Sequence, residues 1–324
     1  MRAALVGKYP EGTYEKLCEA LAGEQIEVVS IADEDTYAGL CDAEIIILRI
    51  FKAPGEVMIR NPHLKLIIRW GAGYDSVDIE EADRRGIMVA NTPGANAGAV
   101  ADLAVLMMLS VGRKLYCHRD CLSRGEWSRN TFLDSSVTLN GKKVGILGGG
   151  NIGRRVAERV RVFGAEAQYF DLFRLPEPVE WEFHMKYVPF DTLIETSDVL
   201  TLHIPLLKDN RHIIGAGEIE RMRRGAILVN VARGGLVDEE ALLCAVREKK
   251  ILGAGLDCVE REPLHPDDAL LHEPDIIITP HIGGGTADLP DVILPMITDN
   301  IRAMARGETI KYVVNNPQNF IVKP

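Results

Sequence analysis

A glycine-rich turn between an apolar strand and a helix constrains the fold of this chain more than any other feature of its sequence. The apolar run 144–147 leads into GGGNIG at 148–153, which has the spacing G-x-G-x-x-G, and a helical pattern follows. In this setting Gly148 permits a tight turn, Gly150 lets a pyrophosphate approach the backbone, and Gly153 lets the helix pack closely on the strand. The free N–H groups at the helix start then face the phosphates. The motif predicts a dinucleotide-binding βαβ unit.

An acid follows the next apolar run. Asp171 comes after 167–170, close to the spacing of about 20 residues at which such an acid contacts the adenosine ribose. A carboxylate there accepts hydrogen bonds from both ribose hydroxyls and repels a 2′-phosphate, so NAD is predicted over NADP as the cofactor. Arg174 is a counter-signal, because an arginine at this place could pair with a 2′-phosphate. Use of NADP as well therefore stays open.

The composition limits the classes of protein to which the chain can belong. Its 324 residues are enough for two domains, and the longest uncharged apolar stretch, 103–112, is far too short to span a membrane. The net charge of −10 argues against a surface that binds nucleic acid or an anionic membrane. We therefore expect a small-molecule substrate, with no nucleic-acid or membrane partner.

The six cysteines show neither a disulfide framework nor a metal site. None belongs to a paired C-x-x-C set, and the N-terminal residues lack a secretory signal, so we expect free thiols in a cytoplasmic protein. Cys117 and Cys121 lie one helical turn apart with His118 between them, but no two further ligands have suitable spacing. The sequence predicts no metal.

Strand patterns alternate with helical patterns along the chain, which is typical of parallel sheets with helices on both faces. Before residue 100 the predicted strands are 2–6, 26–31, 44–48, 66–69 and 87–90. From about 142 to 285 they are 143–147, 167–170, 199–203, 226–230, 253–257 and 276–279. The amphipathic helix predicted at 293–305 has no strands of its own, so we expect it to return to the first domain.

The helix predicted over 97–115 is apolar nearly all round. Such a pattern is typical of a helix that is buried between domains or at a subunit contact. Because exposing this face to water is costly, we expect the protein to form a homodimer.

Four side chains of chemical interest lie at or just beyond the ends of strands in the second series: Arg233, Asp257, Glu262 and His281. Ligands of open α/β sheets bind at the carboxyl ends of the strands. We therefore expect these four side chains to face one end of the bound cofactor.

The four residues suit the reduction of a 2-keto acid, which needs a hydride at carbon and a proton at oxygen. His281 can give and take the proton, and Glu262 can orient its ring through the other nitrogen. Arg233 can hold the substrate carboxylate and polarise the keto oxygen. Asp257 can contact the nicotinamide carboxamide or balance the charge of its ring. Taken singly, each could be a surface, turn or capping residue; together, after a dinucleotide motif, they favour catalysis.

Longer motifs around these residues resemble the D-isomer-specific 2-hydroxyacid dehydrogenase family. The matching segments are 148–153, NVARGGLVD at 230–238, LDCVEREPL at 256–264, PHIGGGT at 280–286, GAGYDSVD at 71–78 and NTPG at 91–94. The resemblance covers about residues 44–315. Formate dehydrogenases of the superfamily carry glutamine where this chain has Glu262, which argues against formate as the substrate.

The resemblance implies which residues form the site. Its catalytic set is Arg233, Glu262 and His281. The backbone at 71–74 is implied to cradle the substrate carboxylate, and Arg49 matches a position that meets substrate in the phosphoglycerate dehydrogenase branch. The predicted substrate contacts are Arg49, Ala72, Gly73, Tyr74, Arg233 and His281. The predicted cofactor contacts are Gly148, Gly150, Asn151, Ile152, Gly153, Asp171, His203, Ile204, Pro205, Val231, Ala232, Arg233, Asp257, His281, Gly283 and Gly284.

The alternation and the resemblance together predict an α/β protein with two doubly wound parallel-sheet domains. A Rossmann NAD-binding domain, 98–287, is expected to be inserted into a discontinuous flavodoxin-like substrate domain, 1–97 plus 288–324. The expected activity is NAD-dependent hydride transfer between a D-2-hydroxy acid and its 2-keto acid.

The sequence leaves the substrate open. Arg49, Lys52 and Arg69 would suit a second anionic group, as in D-3-phosphoglycerate, unless Lys52 is solvated and Arg69 points elsewhere. Trp70 and Tyr74 could instead line a pocket for a smaller or apolar side chain. Glyoxylate, hydroxypyruvate or a longer 2-keto acid would then fit.

Two other classes of function are compatible with the sequence. Some relatives on this scaffold act as NAD-sensing transcriptional corepressors and can retain the catalytic set. A small-molecule binding protein without a cofactor is the other class. Turnover of a 2-keto acid separates an enzyme from a sensor, and NADH binding separates both from the third class.

Overall fold

The computed structural model describes residues 1–127 and 129–317, and the chain divides into two compact units. The first consists of Met1–Asn96 and the segment from Gly285 onward, and the second is Ala97–Gly284. The predicted substrate domain includes residues 318–324, which lie outside the described residues. The division of substrate and cofactor binding between two domains stays a prediction.

Strands and α-helices alternate along the described residues. The strands are β1 (Arg2–Val6), β2 (Glu27–Ile31), β3 (Ile45–Leu48), β4 (Leu66–Arg69), β5 (Met88–Ala90), β6 (Lys143–Leu147), β7 (Glu166–Phe170), β8 (Met185–Tyr187), β9 (Val199–Leu202), β10 (Ala226–Asn230), β11 (Ile251–Leu256) and β12 (Ile276–Ile278). The helices are α1 (Thr13–Ala20), α2 (Glu34–Gly39), α3 (Gly55–Arg60), α4 (Ile79–Arg85), α5 (Ala97–Gly112), α6 (Leu115–Ser123), α7 (Asn151–Val162), α8 (Glu177–Phe183), α9 (Phe190–Thr196), α10 (Ala216–Arg221), α11 (Glu239–Arg247) and α12 (Leu289–Arg306).

The first unit is built on a parallel sheet of five strands in the order β2-β1-β3-β4-β5, the flavodoxin-like order. Helix α12 returns to this unit after the chain has formed the second. Ile293, Ile297 and Ile301 recur every four residues on one face of α12 and are fully buried, in the same core cluster as Leu5 and Ile47. The first unit is therefore built from two separate parts of the chain.

The second unit is built on a parallel sheet of seven strands in the order β12-β11-β10-β9-β6-β7-β8. Both faces of the sheet are covered, as successive residues of β10 show: Leu228 belongs to one buried cluster, and Ile227 and Val229 belong to another. This is a doubly wound Rossmann sheet with one added strand, β12, and the predicted fold class is confirmed.

Helix α5 is apolar nearly all round because its own unit covers most of it. Val100, Met107 and Val111 are buried in the cluster that contains Val144 of β6. The single helix predicted over 97–115 is wrong at its end: α5 stops at Gly112, and α6 begins at Leu115. The reason is Lys114, which has a φ of 52° and a buried side chain that pairs with Asp275 at 2.7 Å.

Among the described residues, no helix combines the length and apolar character that a membrane crossing needs.

Each sheet has a topological switch point, which lies between two neighbouring strands whose connections lead to opposite edges of the sheet. In the first unit it lies between β1 and β3, and in the second between β6 and β9. Open α/β sheets bind ligands outside the carboxyl ends of the strands at such points. We therefore expect functional residues at the carboxyl edges of the two sheets.

Candidate functional site

The glycine motif forms the turn between β6 and α7. Gly148 has a φ of 106°, and a Cβ there would lie 2.6 Å from the backbone oxygen of His203. A Cβ on Gly153 would lie 2.1 Å from the backbone oxygen of Gly148, so neither position accepts a side chain. Beside Gly150, by contrast, none of the described residues lies within 4 Å of an added Cβ.

Helix α7 starts at this open position, with Asn151 and Ile152 in its first turn. Gly150 occupies the cap position and has no side chain with which to accept hydrogen bonds from the helix start. The N–H groups of the first turn therefore need an acceptor from outside the helix. A pyrophosphate fits this requirement in both charge and space.

Asp171 follows β7 and folds against the glycine motif. One carboxylate oxygen accepts a hydrogen bond from the N–H of Gly149 at 2.8 Å, and the other accepts one from the N–H of Phe173 at 3.4 Å. The carboxylate is thus held beside the motif, and its contact with the adenosine ribose stays a prediction. Arg174, the counter-signal in the sequence, pairs with Glu180 at 2.9 Å.

His203 follows β9, across the switch point from the motif. Its Nε2 lies 3.0 Å from the hydroxyl of Thr201, and its Nδ1 has no hydrogen-bond partner among the described residues. Burial lowers the pKa of His203 to about 3, so its ring is neutral at neutral pH. A neutral ring with one unpaired nitrogen can contact a cofactor but cannot supply a proton. The other predicted cofactor contacts here, Ile204 and Pro205, continue the same loop.

Arg233 lies in the turn after β10, which the buried Asn230 shapes. The side-chain amide of Asn230 donates to the backbone oxygen of Arg233 at 2.8 Å, and its carbonyl oxygen accepts from the N–H of Ala232 at 3.1 Å. The guanidinium of Arg233 donates to the backbone oxygen of Ala232 at 2.7 Å. A Cβ on Gly234 would lie 1.9 Å from the carbonyl carbon of Val259, so this turn abuts the loop after β11.

Asp257 organises the turn that carries His281. Its carboxylate accepts hydrogen bonds from the hydroxyl of Thr279 at 2.6 Å and from the N–H groups of Ile282 and Gly283, each at 2.8 Å. Its backbone oxygen accepts the N–H of His281 at 2.9 Å. Because three donors of the chain itself engage both oxygens, Asp257 anchors this turn, and a contact with the cofactor stays a prediction. The predicted contact Gly284 continues the same turn.

His281 and Glu262 form a pair beyond the ends of β11 and β12. Nδ1 of His281 lies 3.1 Å from a carboxylate oxygen of Glu262, and the two side chains are 47% and 43% exposed. His281 has a φ of 54°, a conformation that costs energy in a non-glycine residue and is common at functional sites. Since Nδ1 faces Glu262, Nε2 is the nitrogen that remains for a substrate.

The buried thiol of Cys258 lies close to this pair. One ligand atom from each of Cys258, Glu262 and His281 lies within 4.8 Å of the other two. Thiolate, carboxylate and imidazole are common zinc ligands, so these side chains could hold an added ion. The sequence predicts no metal in the working protein, and that stays a prediction.

In the first unit, the loop at 71–74 follows β4 and is fixed by side chains from the segment after β5. The hydroxyl of Thr92 accepts the N–H of Gly71 at 2.8 Å, and the amide of Asn91 donates to the backbone oxygen of Ala72 at 2.7 Å. Gly71 has a φ of 124°, which favours glycine. The loop is thus rigidly held, as a backbone cradle for a carboxylate needs to be.

Two arginines at this edge of the five-stranded sheet donate to backbone oxygens. Arg69 donates to Leu48 at 2.8 Å and to Gly73 at 3.0 Å, so it supports the loop at 71–74. Arg49 follows β3 at the switch point and donates to the backbone oxygen of Lys8. Burial lowers the pKa of Arg49, which nonetheless stays protonated at neutral pH.

Sequence reasoning did not single out the polar residues that build these turns: Asn91, Thr92, Glu180, Asn230 and Thr279. One signal was available for Asn230, which ends the otherwise apolar strand AILVN. A buried amide without a partner is costly, so an asparagine at the end of a buried strand indicates a hydrogen-bonded turn. The other four lack such a local signal.

The chain is similar to known proteins over most of its length. The profile of the family described as D-isomer specific 2-hydroxyacid dehydrogenase, NAD binding domain, matches residues 105–283. A glyoxylate reductase of Thermococcus litoralis is 38% identical over 269 residues, which cover 82% of this chain and 81% of that protein. A D-3-phosphoglycerate dehydrogenase of Archaeoglobus fulgidus is 36% identical over 297 residues, 91% of this chain and 56% of that protein.

A solved structure extends this similarity to the whole fold. The glyoxylate reductase from Paecilomyes thermophila superposes with a TM-score of 0.84 at 32% identity, covering 97% of this chain and 98% of the other. These relatives are named as reductases and dehydrogenases, and they give no support to the corepressor alternative.

Proposed function

The chain belongs to the D-isomer specific 2-hydroxyacid dehydrogenase family, and from this premise we propose that it reduces a small 2-keto acid with Arg233, Glu262 and His281 as its catalytic residues. It is an NAD-dependent oxidoreductase of hydroxy acids. One observation carries the assignment of the residues: the His281–Glu262 pair stands at the carboxyl edge of the seven-stranded sheet, and the turn of Arg233 abuts the loop that carries Glu262.

The proposed mechanism divides the work among these three side chains. When bound, NADH supplies the hydride that reduces the keto carbon. Protonated His281 gives the proton on Nε2 to the keto oxygen. Glu262 accepts a hydrogen bond from the Nδ1–H group and balances the charge of the ring. Arg233 pairs with the substrate carboxylate and polarises the keto oxygen. In the reverse direction the neutral ring of His281 takes the proton from the hydroxyl.

For the cofactor, we propose that the glycine turn and the start of α7 hold the pyrophosphate and that Asp171 binds the adenosine ribose. The open position beside Gly150 and the uncapped helix start support the first part. The unpaired Nδ1 of His203 supports a contact from the loop after β9. The turns after β10 and β12 would provide the remaining predicted contacts.

For the substrate, we propose glyoxylate or hydroxypyruvate rather than a phosphorylated acid. Arg49 and Arg69 are half-buried and both donate hydrogen bonds to backbone oxygens of the first unit. Of the three cations that could bind a phosphate of the substrate, Lys52 is the exposed one. The two glyoxylate reductases match this chain over 81% and 98% of their own lengths, whereas the phosphoglycerate dehydrogenase matches over 56%. The loop at 71–74 is proposed to hold the substrate carboxylate.

The direct test is NADH consumption with a panel of 2-keto acids. The panel contains glyoxylate, hydroxypyruvate, phosphohydroxypyruvate, pyruvate and a branched-chain keto acid, each repeated with NADPH. We expect the highest kcat/KM with glyoxylate or hydroxypyruvate and NADH. A preference for phosphohydroxypyruvate would overturn the proposed substrate and would assign Arg49 and Lys52 to a phosphate. NADH binding without turnover of any member would count against the proposed catalytic residues.

We also propose that the protein is a homodimer that associates through the segment 97–142. Five large apolar side chains of this segment are each more than half exposed: Leu106, Leu115, Leu122, Trp127 and Leu133. Exposed apolar residues grouped in this way are typical of a subunit contact. Light scattering should give the mass of two chains, and Leu115→Glu together with Leu122→Glu should shift it toward one. A monomeric wild type would contradict the proposal.

A cytoplasmic location is proposed as well. Among the described residues, the cysteines form no disulfide bonds, as expected of a protein from a reducing compartment. Fractionation of the source cells should place the chain with the cytoplasmic proteins.

A further inference from the structure

A buried carboxylate connects the strand, the turn and the helix that follow the glycine motif. Glu180, on α8, accepts the hydroxyl of Tyr169 at 2.7 Å and two N–H groups of the Arg174 guanidinium, both at 2.9 Å. The hydroxyl oxygen of Tyr169 in turn accepts the N–H of Leu175 at 2.8 Å. The Arg174 guanidinium also lies over the ring of Tyr187, 5.6 Å from its centre. The turn between Asp171 and α8 is therefore fixed through one carboxyl group.

Glu180 is ionised at neutral pH. The Arg174 guanidinium and the Tyr169 hydroxyl lower the pKa of Glu180 from 4.5 to about 2, and the same ion pair raises the pKa of Arg174. The Nε–Nη2 edge of the guanidinium, one of its two edges that can bind a phosphate through a pair of hydrogen bonds, faces Glu180 instead. Arg174 therefore keeps its charge, but this edge of the guanidinium is occupied.

This matters because Arg174 comes three residues after Asp171, in the turn that faces the adenosine ribose. In this fold an acid at the end of the second strand binds the ribose hydroxyls, whereas a nearby arginine accommodates a 2′-phosphate. The chain carries both kinds of residue, so the acid alone does not account for a choice of cofactor. We propose that Glu180 determines the choice of NAD over NADP, as a positioning residue that withholds Arg174 from a 2′-phosphate.

The proposal rests on the placement of the ribose at Asp171, and its test uses the binding of NADPH and NADH to the free protein, followed by fluorescence. The starting variant is Asp171→Ala, which removes the repulsion of the 2′-phosphate. Adding Glu180→Gln keeps the shape of the side chain and frees the guanidinium. We expect about tenfold tighter binding of NADPH, the size of one charge-assisted hydrogen bond, with NADH affinity changed by less than about twofold. Adding Arg174→Ala to this double variant should abolish the gain.

Two further variants separate this effect from general changes of charge or stability. Glu177→Gln removes a negative charge from the same helix, but Glu177 is exposed and Glu180 holds the guanidinium, so NADPH affinity should not rise. Arg174→Ala on the Asp171→Ala background should leave NADPH affinity unchanged, since the arginine is already withheld. This second comparison does not depend on the folding of any Glu180 variant.

The results that would overturn the proposal are distinct from those that would overturn the site. Equal NADPH affinity with and without Glu180→Gln, or a gain that survives the loss of Arg174, would refute a positioning role for Glu180. Weaker NADPH binding after Arg174→Ala is added to Asp171→Ala, with Glu180 unchanged, would show that Glu180 does not withhold the arginine from the 2′-phosphate. Loss of NADH binding across all Asp171 variants would instead contradict the placement of the ribose.

Discussion

The seven-stranded sheet carries turns of opposite character on the two sides of its switch point. After β7, on one side, the acids are tied to their own chain: Glu180 is 9% exposed and holds Arg174 with two hydrogen bonds. After β11 and β12, on the other side, Glu262 and His281 are 43% and 47% exposed and meet at 3.1 Å. The second pair is held through its backbone, where Asp257 accepts hydrogen bonds from the N–H groups of His281 and Ile282, rather than through the side-chain atoms that are proposed to act in catalysis.

The difference shows what each task requires. A residue that selects between two cofactors works best when its charge and position are fixed before the ligand arrives, because rejection depends on what it withholds. A residue that transfers a proton must reach the substrate and change its protonation state, so it needs a free nitrogen and a held ring. Two histidines of the same edge illustrate this contrast: burial keeps His203 neutral, whereas His281 stays accessible.

The largest expected effect is that of His281→Ala. Removing the proposed acid–base group should lower kcat by about a hundredfold to ten-thousandfold while NADH still binds. The matched control is His203→Asn, which should weaken NADH binding and change kcat far less, because a ring with a pKa of about 3 cannot supply the proton. Steady-state kinetics and NADH titration of both variants check this. Near-normal kcat in His281→Ala would remove His281 from the mechanism.

The next effect is that of Arg233→Ala. Loss of the paired contact to the substrate carboxylate should raise KM for the keto acid and lower kcat, together about a hundredfold in kcat/KM, or close to 3 kcal/mol. Arg233→Lys keeps the charge but not the fork of donors and should recover only part of the activity. A variant with unchanged KM would contradict the assigned role, as would full recovery by lysine.

A smaller loss is expected from Gly234→Ala, which tests the packing between two turns rather than a functional group. The added methyl would meet the carbonyl carbon of Val259 at 1.9 Å, so the turn of Arg233 must move away from the loop after β11. We expect a destabilisation of about 1–3 kcal/mol and a drop in kcat/KM of about tenfold. Gly217→Ala, in α10, where an added Cβ meets no described neighbour outside the local helix backbone, is the control; it should leave kcat/KM unchanged and should not destabilise the protein, because alanine favours a helix. Normal kinetics in Gly234→Ala would show that the contact is irrelevant to the site.

The smallest effect concerns stability and is specific to the fixed turn. Because the pKa of Glu180 is lowered from 4.5 to about 2, its ionised form stabilises the folded protein above pH 4.5, and this contribution is lost as the pH falls toward 2. Glu180→Gln should lower Tm by about 2–4 °C at neutral pH. Thermal unfolding from neutral pH down to the lowest pH at which both proteins fold should show the difference shrinking below pH 4.5. A difference that does not depend on pH would mean that the carboxylate charge contributes nothing.

The sequence predicted the strands well where they are long and apolar, and less well where short elements depend on their surroundings. Helix α2 was missed, since six residues beginning with two acids give little periodicity, and its start depends on the cap by Asp33. Strand β8 was missed because three residues at the sheet edge, with Lys186 exposed, resemble a loop. The break between α5 and α6 depends on Lys114 and its partner Asp275, which local pattern cannot connect.

The candidate site divides in the same way. The identities of Arg233, Glu262 and His281 and their positions after strands came from the sequence, because parallel strands bring their carboxyl ends to one edge. Their supports did not: Asp257 reaches Ile282 and Gly283 across 25 and 26 residues, and nothing in its own segment indicates that it holds this turn.

What the sequence by itself determined is therefore the type of fold, the dinucleotide motif and the chemistry available at one sheet edge. Each of these depends on composition and spacing within short segments, which a chain carries into any folded form. What only the tertiary structure decided is how charged groups are paired: Arg174 is withheld by Glu180, Asp257 holds a turn, and Lys114 ends a helix. The reason is physical. A charge is stabilised by the particular partner that the fold brings within about 3 Å of it, and charge pairing depends on distance in space rather than on position in the chain.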